Sequence, residues 1–243
     1  MYSFNARVRY SEVGGDCKLS ELGVVNYLQD CSTFQSEDLK KGIDYLEQSC
    51  RAWWLSSWQI VIERYPRLGE EIVVSTWPYD FKGMYGYRNF TIQDRQGVFL
   101  VKANSVWFLF DTAAGRPVKV EEEDIRGYKT GKEEKLDMEY APRRIRLPEI
   151  YETCEPVKVV RRHIDTNHHV NNAQYVAIAR EVLPEYLKFR EVRVEYKKAA
   201  VTGDVMIPRI SREKDIYTVA LCSREGDIYA AVWLQAANCQ ETA

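Results

Sequence analysis

Apolar and β-branched residues gather in short runs along the chain, each bounded by turn-forming residues. The pattern predicts strands over Trp58 to Glu63, Ile72 to Trp77, Arg88 to Ile92 and Val98 to Phe110. Tyr65-Pro66-Arg67-Leu68-Gly69-Glu70 separates the first two, Asp94-Arg95-Gln96-Gly97 reads as a hairpin turn, and Asp111 to Gly115 closes the series. The same order returns later. Val192 to Lys197, Val205 to Ile210, Tyr217 to Cys222 and Ile228 to Leu234 are strand-like, with turns at Thr202-Gly203-Asp204 and Ser223 to Asp227. A helix-like stretch precedes each series, about Ser20 to Lys40 and then Asn172 to Leu183, the second stopping near Pro184.

Each half therefore reads as a strand, one long helix and several antiparallel strands, an α+β arrangement. Residues 1–120 form the first repeat and 151–243 the second. The stretch 121–150 joins them as a linker, and its opening run Glu121-Glu122-Glu123-Asp124 is expected to be solvated.

With 243 residues and 45% hydrophobic positions, the chain can bury a substantial core. Its net charge of -2 gives nucleic acid no basic face to bind. No run approaches the roughly 20 apolar residues of a membrane span, and MYSFNARVRY lacks the apolar centre of a signal peptide. A cytoplasmic protein is the expectation. Cys17, Cys31, Cys50, Cys154, Cys222 and Cys239 include no CxxC pair and fit no zinc spacing, so scattered, mostly buried thiols are expected.

Chemistry concentrates in Arg161-Arg162-His163-Ile164-Asp165-Thr166-Asn167-His168-His169-Val170-Asn171-Asn172, which holds all three histidines of the chain. Three readings compete. The run can be a polar loop whose Asn171 or Asn172 caps the next helix. His163, Asp165 and His169 can supply metal ligands, although no known spacing is matched. Or the run can be an acid–base site, since His moves protons near neutral pH and a helix N-terminus offers N–H groups to an oxyanion.

Asp165-Thr166-Asn167-His168-His169-Val170-Asn171-Asn172-Ala173-Gln174-Tyr175 resembles the D-x-N-x-H-V-N-N-x-x-Y signature of the acyl-ACP thioesterases. The resemblance extends through Glu63 to Glu70 with Thr76-Trp77-Pro78, Trp107 to Thr112 with Gly115-Arg116-Pro117, and Val194-Glu195-Tyr196-Lys197-Lys198. It implies a tandem hotdog fold, in agreement with the repeat. It implies hydrolysis of fatty acyl thioesters on acyl carrier protein, which ends chain elongation, with Asp165, Asn167 and His169 as the catalytic carboxylate, amide and imidazole. Around Asp16-Cys17-Lys18-Leu19-Ser20-Glu21 the first repeat has only scattered polar groups, so one site per chain follows. The first half is left to shape the acyl pocket, with Trp53, Trp54, Trp58 and Trp77 as candidates for its wall and plain core aromatics as the alternative.

Plant members read E-Y-R-R-E-C where this chain reads Glu195-Tyr196-Lys197-Lys198-Ala199-Ala200. The second carboxylate is thus Ala199 and the cysteine Ala200, which argues against a Cys nucleophile. Glu195 is expected on the same strand face as position 199, about 13 Å away. The expected mechanism is direct attack by water, with Asp165 or His169 as base and backbone N–H groups of Val170, Asn171 and Asn172 holding the oxyanion. No metal and no organic cofactor are required. Carrier docking is expected on Arg161, Arg162, Lys197, Lys198, Arg143 and Arg144, and a homodimer is compatible with the sequence. An acyl-CoA thioesterase, or a catalytically weak acyl-carrier-binding protein, are the alternatives.

Overall fold

Ser20 starts the first long helix. Its Oγ accepts the Gly23 N–H at 3.1 Å, satisfying one of the free donors of helix α1 (Glu21–Asp38). Val24, Leu28, Cys31 and Gln35 fall on one buried stripe of that helix. A Cβ at Gly23 would stand 2.6 Å from Leu19 Cδ1 and 3.2 Å from Glu12 O, so a larger residue there would displace the Leu19 side chain of the entry loop. In this computed structural model, residues 1–128 and 134–237 are described. Cys239 and residues 129–133 of the expected linker lie outside them.

Two compact units divide the chain, residues 1–56 with 63–140, and residues 57–62 with 141–243. The first holds β1 (Tyr2–Arg7), α1, the short α2 (Ile43–Gln48), the start of β2 (Arg51–Ile62), β3 (Glu71–Lys82), β4 (Tyr85–Asp94), β5 (Phe99–Asp111), β6 (Arg116–Pro117) and α3 (Glu122–Ile125). Its antiparallel sheet runs β1-β3-β4-β5-β2 with β6 beside β5, and α1 packs on β3 and β1. The Cys31 thiol reaches Val74 O at 3.5 Å across that contact.

The second unit takes residues 57–62 of β2, then β7 (Glu152–Thr153), β8 (Val157–Lys158), α4 (Asn172–Glu181), β9 (Phe189–Tyr196), β10 (Val205–Glu213), β11 (Ile216–Cys222) and β12 (Ile228–Ala236). Strand order is β2-β9-β12-β11-β10-β7, antiparallel throughout, with β8 also on β10. Helix α4 packs on β11 and β12 through Ala173, Tyr175, Val176, Ile178 and Ala179, over a sheet face with Val219, Leu221, Val232 and Leu234 fully buried. The chain is α+β, and no helix among the described residues is long and apolar enough to cross a membrane.

The charge run of the expected linker is solvated and leads into α3, with the Glu121 N–H donating to Asp124 Oδ2 at 2.8 Å, while the later part is anchored at particular points. In the first unit, Leu136 N–H and Tyr140 OH both donate to the buried Asn89 Oδ1. In the second, Ala141 N–H donates to Gln59 Oε1 and Ile145 N–H to Glu195 Oε2. The segment straps each sheet in turn because the buried amides and carboxylate need those donors. The thiols also differ from expectation: Cys31 and Cys222 are buried, Cys154 is intermediate, and Cys17 and Cys50 are exposed.

Candidate active site

The polar run folds into a closed loop on the N-terminus of α4. A 3-10 turn over Arg161–His163 leads in, and an isolated bridge joins Ile164 to Val170. Inside the bridge, Asp165 N–H donates to His169 O at 2.8 Å and His168 N–H to Asp165 O at 3.1 Å. Asp165 Oδ1 accepts the Asn167 N–H at 2.8 Å, an Asx turn. Asn171 Oδ1 caps the helix by accepting from Ala173 N–H at 2.9 Å. Asp165 and His169 are thereby opposed across one small loop, both half-buried, with Asn167 exposed at the tip.

The three histidines divide by surroundings. His163 is buried, and its Nδ1 accepts the Val160 N–H at 3.3 Å, which caps the 3-10 turn. Burial, then the charge of Arg162, pushes its pKa down. His163 therefore serves the scaffold through its Nδ1. His168 is exposed with φ 61, and His169 is the half-buried imidazole next to the helix start.

Position 200 locks the loop in place. Ala200 O accepts the Val170 N–H at 2.8 Å, and Ala200 N–H donates to the Tyr175 hydroxyl at 3.0 Å. Tyr175 packs edge-on against Tyr196 at 5.5 Å, and the Tyr196 hydroxyl donates to Asn172 O at 2.9 Å. Burial is the first cause that pushes the Tyr175 phenol up to about 12, so it stays protonated.

Three expectations change here. First, Val170 N–H is held by Ala200 O and Asn171 N–H by His163 O, so neither is open to an oxyanion. Of the three proposed donors only Asn172 N–H has no acceptor among the described residues. Second, β9 ends at Tyr196, which puts Ala199 in an exposed loop and not on the strand face of Glu195. The buried Glu195 carboxylate is engaged by Ile145 N–H and by Lys197 Nζ, both at 3.0 Å. Third, Trp53 and Trp54 are consecutive in β2 and face opposite ways, so one wall cannot hold both. Trp53 lies against Phe81, Trp54 stacks on Phe110 at 3.9 Å, Trp77 donates to Glu134 O, and Trp58 is fully buried.

The proposed docking residues also separate. Lys198 pairs with Asp227 at 2.7 Å, which raises the ammonium pKa, and Lys197 pairs with Glu195. Arg161, Arg162, Arg143 and Arg144 are exposed. Arg161 and Arg162 make no ion pair among the described residues, so their charge is uncompensated beside the loop.

The first unit contains the same loop without the chemistry. A 3-10 turn over Tyr10–Glu12 leads to a Val13–Leu19 bridge. Gly14 N–H donates to Lys18 O, Cys17 N–H to Gly14 O and Ser20 N–H to Glu12 O, all at 3.0 Å. These repeat the bonds of Asp165, His168 and Asn171, and Glu12 Oε2 accepts the Arg9 N–H where His163 Nδ1 accepts that of Val160. Where the second unit has Asp165, Asn167 and His169, the first has Gly14, Asp16 and Lys18. Sequence reading found no motif there and missed the copy, because it is written in backbone bonds.

Two family models match, the acyl-ACP thioesterase N-terminal domain over residues 1–128 and the acyl-ACP thioesterase C-terminal domain over residues 150–234. The palmitoyl-acyl carrier protein thioesterase of Gossypium hirsutum is 25% identical over 223 residues, covering 85% of this chain and 54% of that protein. That of Arabidopsis thaliana is 27% identical over 219 residues, covering 83% and 53%. The chain thus spans about half the length of the curated relatives it matches. Among solved structures, an acyl-ACP thioesterase from Bacteroides thetaiotaomicron superposes with a TM-score of 0.86 at 19% identity, covering 97% of both chains. The 12:0-ACP thioesterase from Umbellularia californica superposes with 0.79 at 20% identity, again covering 97% of both.

Proposed function

The chain belongs to the acyl-ACP thioesterase family, and on that premise we propose that it hydrolyses fatty acyl thioesters of acyl carrier protein to free fatty acid and carrier. The fold belonging to this reading is a tandem hotdog, one repeat per unit, each with its long helix laid on its own antiparallel sheet. The observation that carries it is the contrast between the two loops. Both have the same backbone bonds, and only the second combines a carboxylate, an amide and an imidazole, at the places where the first has Gly14, Asp16 and Lys18.

The roles follow from what each group already does. Asp165 has one oxygen engaged in the Asx turn, so it orients the loop, and its other oxygen is left to support the charge that develops on His169. His169 takes the proton of a water that attacks the thioester carbon, and Asn167 positions that water. The Asn172 N–H is the donor for the oxyanion, a contact worth roughly 3 kcal/mol in a transition state. Collapse of the tetrahedral intermediate breaks the C–S bond, and the proton on His169 passes to the leaving thiolate. Arg161 and Arg162 receive the acidic carrier.

The test is a panel of acyl-carrier and acyl-CoA thioesters given to the wild-type protein and to Asp165→Ala and His169→Ala. The expected result is acid release preferentially from the carrier, and a kcat at least about 100-fold lower in each variant, the scale of acid–base groups. Faster release from the CoA thioesters assigns the enzyme to that carrier instead. Near-normal turnover in a variant removes that residue from the mechanism.

A further inference from the structure

The backbone match between the two loops extends to the segment that closes each of them. Leu19 N–H donates to Pro66 O at 2.8 Å, as Val170 N–H does to Ala200 O. Glu63 and Arg64 N–H both donate to Leu100 O, as Lys197 and Lys198 N–H both do to Tyr229 O. Glu70 N–H donates to Arg67 O and Gly69 N–H to Val8 O, as Asp204 N–H does to Val201 O and Gly203 N–H to Val159 O. The two segments therefore run in step, and Tyr65 corresponds to Ala199. By the same bonds Glu21 corresponds to Asn172, and these are the first residues of α1 and α4.

The corresponding places are filled differently. In the first unit the Tyr65 hydroxyl donates to Glu21 Oε1 at 2.8 Å, and both side chains are buried. The phenol ring plugs the place beside the start of α1, and a hydrogen-bonding group rests on the side chain of the helix's first residue. In the second unit Ala199 is too short to form such a plug and is exposed, and Asn172 is half-buried. The Asn172 carboxamide makes no hydrogen bond among the described residues, and its backbone N–H has no acceptor there. The plug is thus missing from the unit whose loop carries Asp165 and His169. Glu21 as a carboxylate offers only acceptors to a hydroxyl, whereas Asn172 offers one acceptor and an NH₂ donor, the complement of an amide.

We propose that the Asn172 side chain binds the first amide of the substrate's pantetheine arm, in the place that Tyr65 fills in the first unit. Nδ2 donates to the amide carbonyl, and Oδ1 accepts the amide N–H. That amide stands two methylenes from the thioester sulfur, so holding it on Asn172 brings the thioester to the backbone N–H of the same residue. The side chain selects and places the arm, while the N–H serves the oxyanion. The inference rests on the thioesterase reading and names the part of the carrier that the site recognises.

The experiment compares two small esters of one fatty acid on the full chain. The N-acetylcysteamine thioester keeps that amide, and the n-pentyl thioester has the same length without it. Wild-type kcat/KM should favour the first. Asn172→Ala and Asn172→Leu, the second close to Asn in shape, should cut that preference by about fivefold or more, the scale of one lost hydrogen bond, and the cut should lie mainly in KM. The urea midpoint of each variant checks that it folds, which is expected because the replaced carboxamide has no partner among the described residues. No preference in the wild type, or an equal loss on both esters in the folded variants, overturns the proposal and leaves the thioesterase reading standing. No hydrolysis of any carrier-bound or small acyl thioester by the wild-type chain overturns that reading, and this inference with it.

Discussion

Replacing Tyr175 with Phe removes one oxygen atom from the joint that holds the polar loop. The ring stays against Tyr196, so the packing is preserved and the change isolates the hydrogen bond. Ala200 is completely buried, and its N–H has the Tyr175 hydroxyl as acceptor at 3.0 Å. Without that oxygen the N–H is orphaned, which costs about 1–3 kcal/mol. A loss of about 2 kcal/mol in a chain of this size lowers Tm by about 4–8 °C. The same residue's carbonyl holds Val170 N–H, so loosening Ala200 also frees the end of the loop that carries His169. The expected result is therefore a lower urea midpoint together with a reduced kcat and a smaller change in KM. Tyr196→Phe is the control, because its hydroxyl donates to the Asn172 carbonyl and leaves no buried N–H behind. An unchanged midpoint and an unchanged kcat in Tyr175→Phe would refute the claim that position 200 locks the loop.

Arg161→Glu with Arg162→Glu should raise KM for carrier-bound substrates, more at low salt than at high, and leave a small acyl thioester almost unaffected. An equal loss on both substrates would mean that the pair supports the loop. Ala199→Glu should fold normally, since position 199 is exposed, and should raise kcat if a carboxylate there can activate water. No gain at any pH in the pH–rate profile would show that this loop works without it. His163 should make stability fall in acid: with its folded pKa pushed below 6.5 by burial, its contribution is complete above pH 6.5 and is lost as pH drops through the lower value. His163→Gln should flatten that part of the stability–pH curve, and an unchanged curve would exclude His163 as its source.

The strand series was legible because each run ends in turn chemistry that also works locally. Gly69, Gly97, Gly115, Gly203 and Gly226, all in predicted turns, adopt positive φ. The starts of α1 and α4 were legible for the same reason, through Ser20 and Asn171. Residues 51–57 were not read as the beginning of β2, since Ser56 and Ser57 interrupt an apolar run that has no clean alternation. The anchoring of the linker was not legible, because its partners Asn89, Gln59 and Glu195 are distant in sequence. Within the motif, the residue types pointed to Asp165, Asn167 and His169, but the fate of the Val170 N–H depends on Ala200, thirty positions away. Backbone bonds made at that range leave no mark in a local pattern.

The first unit's loop also decides how the second one should be read. His168 holds φ 61, a left-handed conformation that costs a non-glycine residue about 1 kcal/mol or more and often marks a functional site. Taken alone it invites a catalytic explanation for His168. Cys17 occupies the same place in the other loop with φ 58, between the same two bridging positions and with the same backbone bonds. That loop has Gly14 and Lys18 where Asp165 and His169 stand, so no proton transfer is served by its strain. The left-handed residue is therefore a condition of closing so short a loop onto a helix N-terminus, whatever the loop carries. It follows that His168→Gly should preserve or slightly raise stability and leave turnover near normal, because the proposed mechanism asks nothing of that side chain; a large loss of turnover in a folded His168→Gly would refute this.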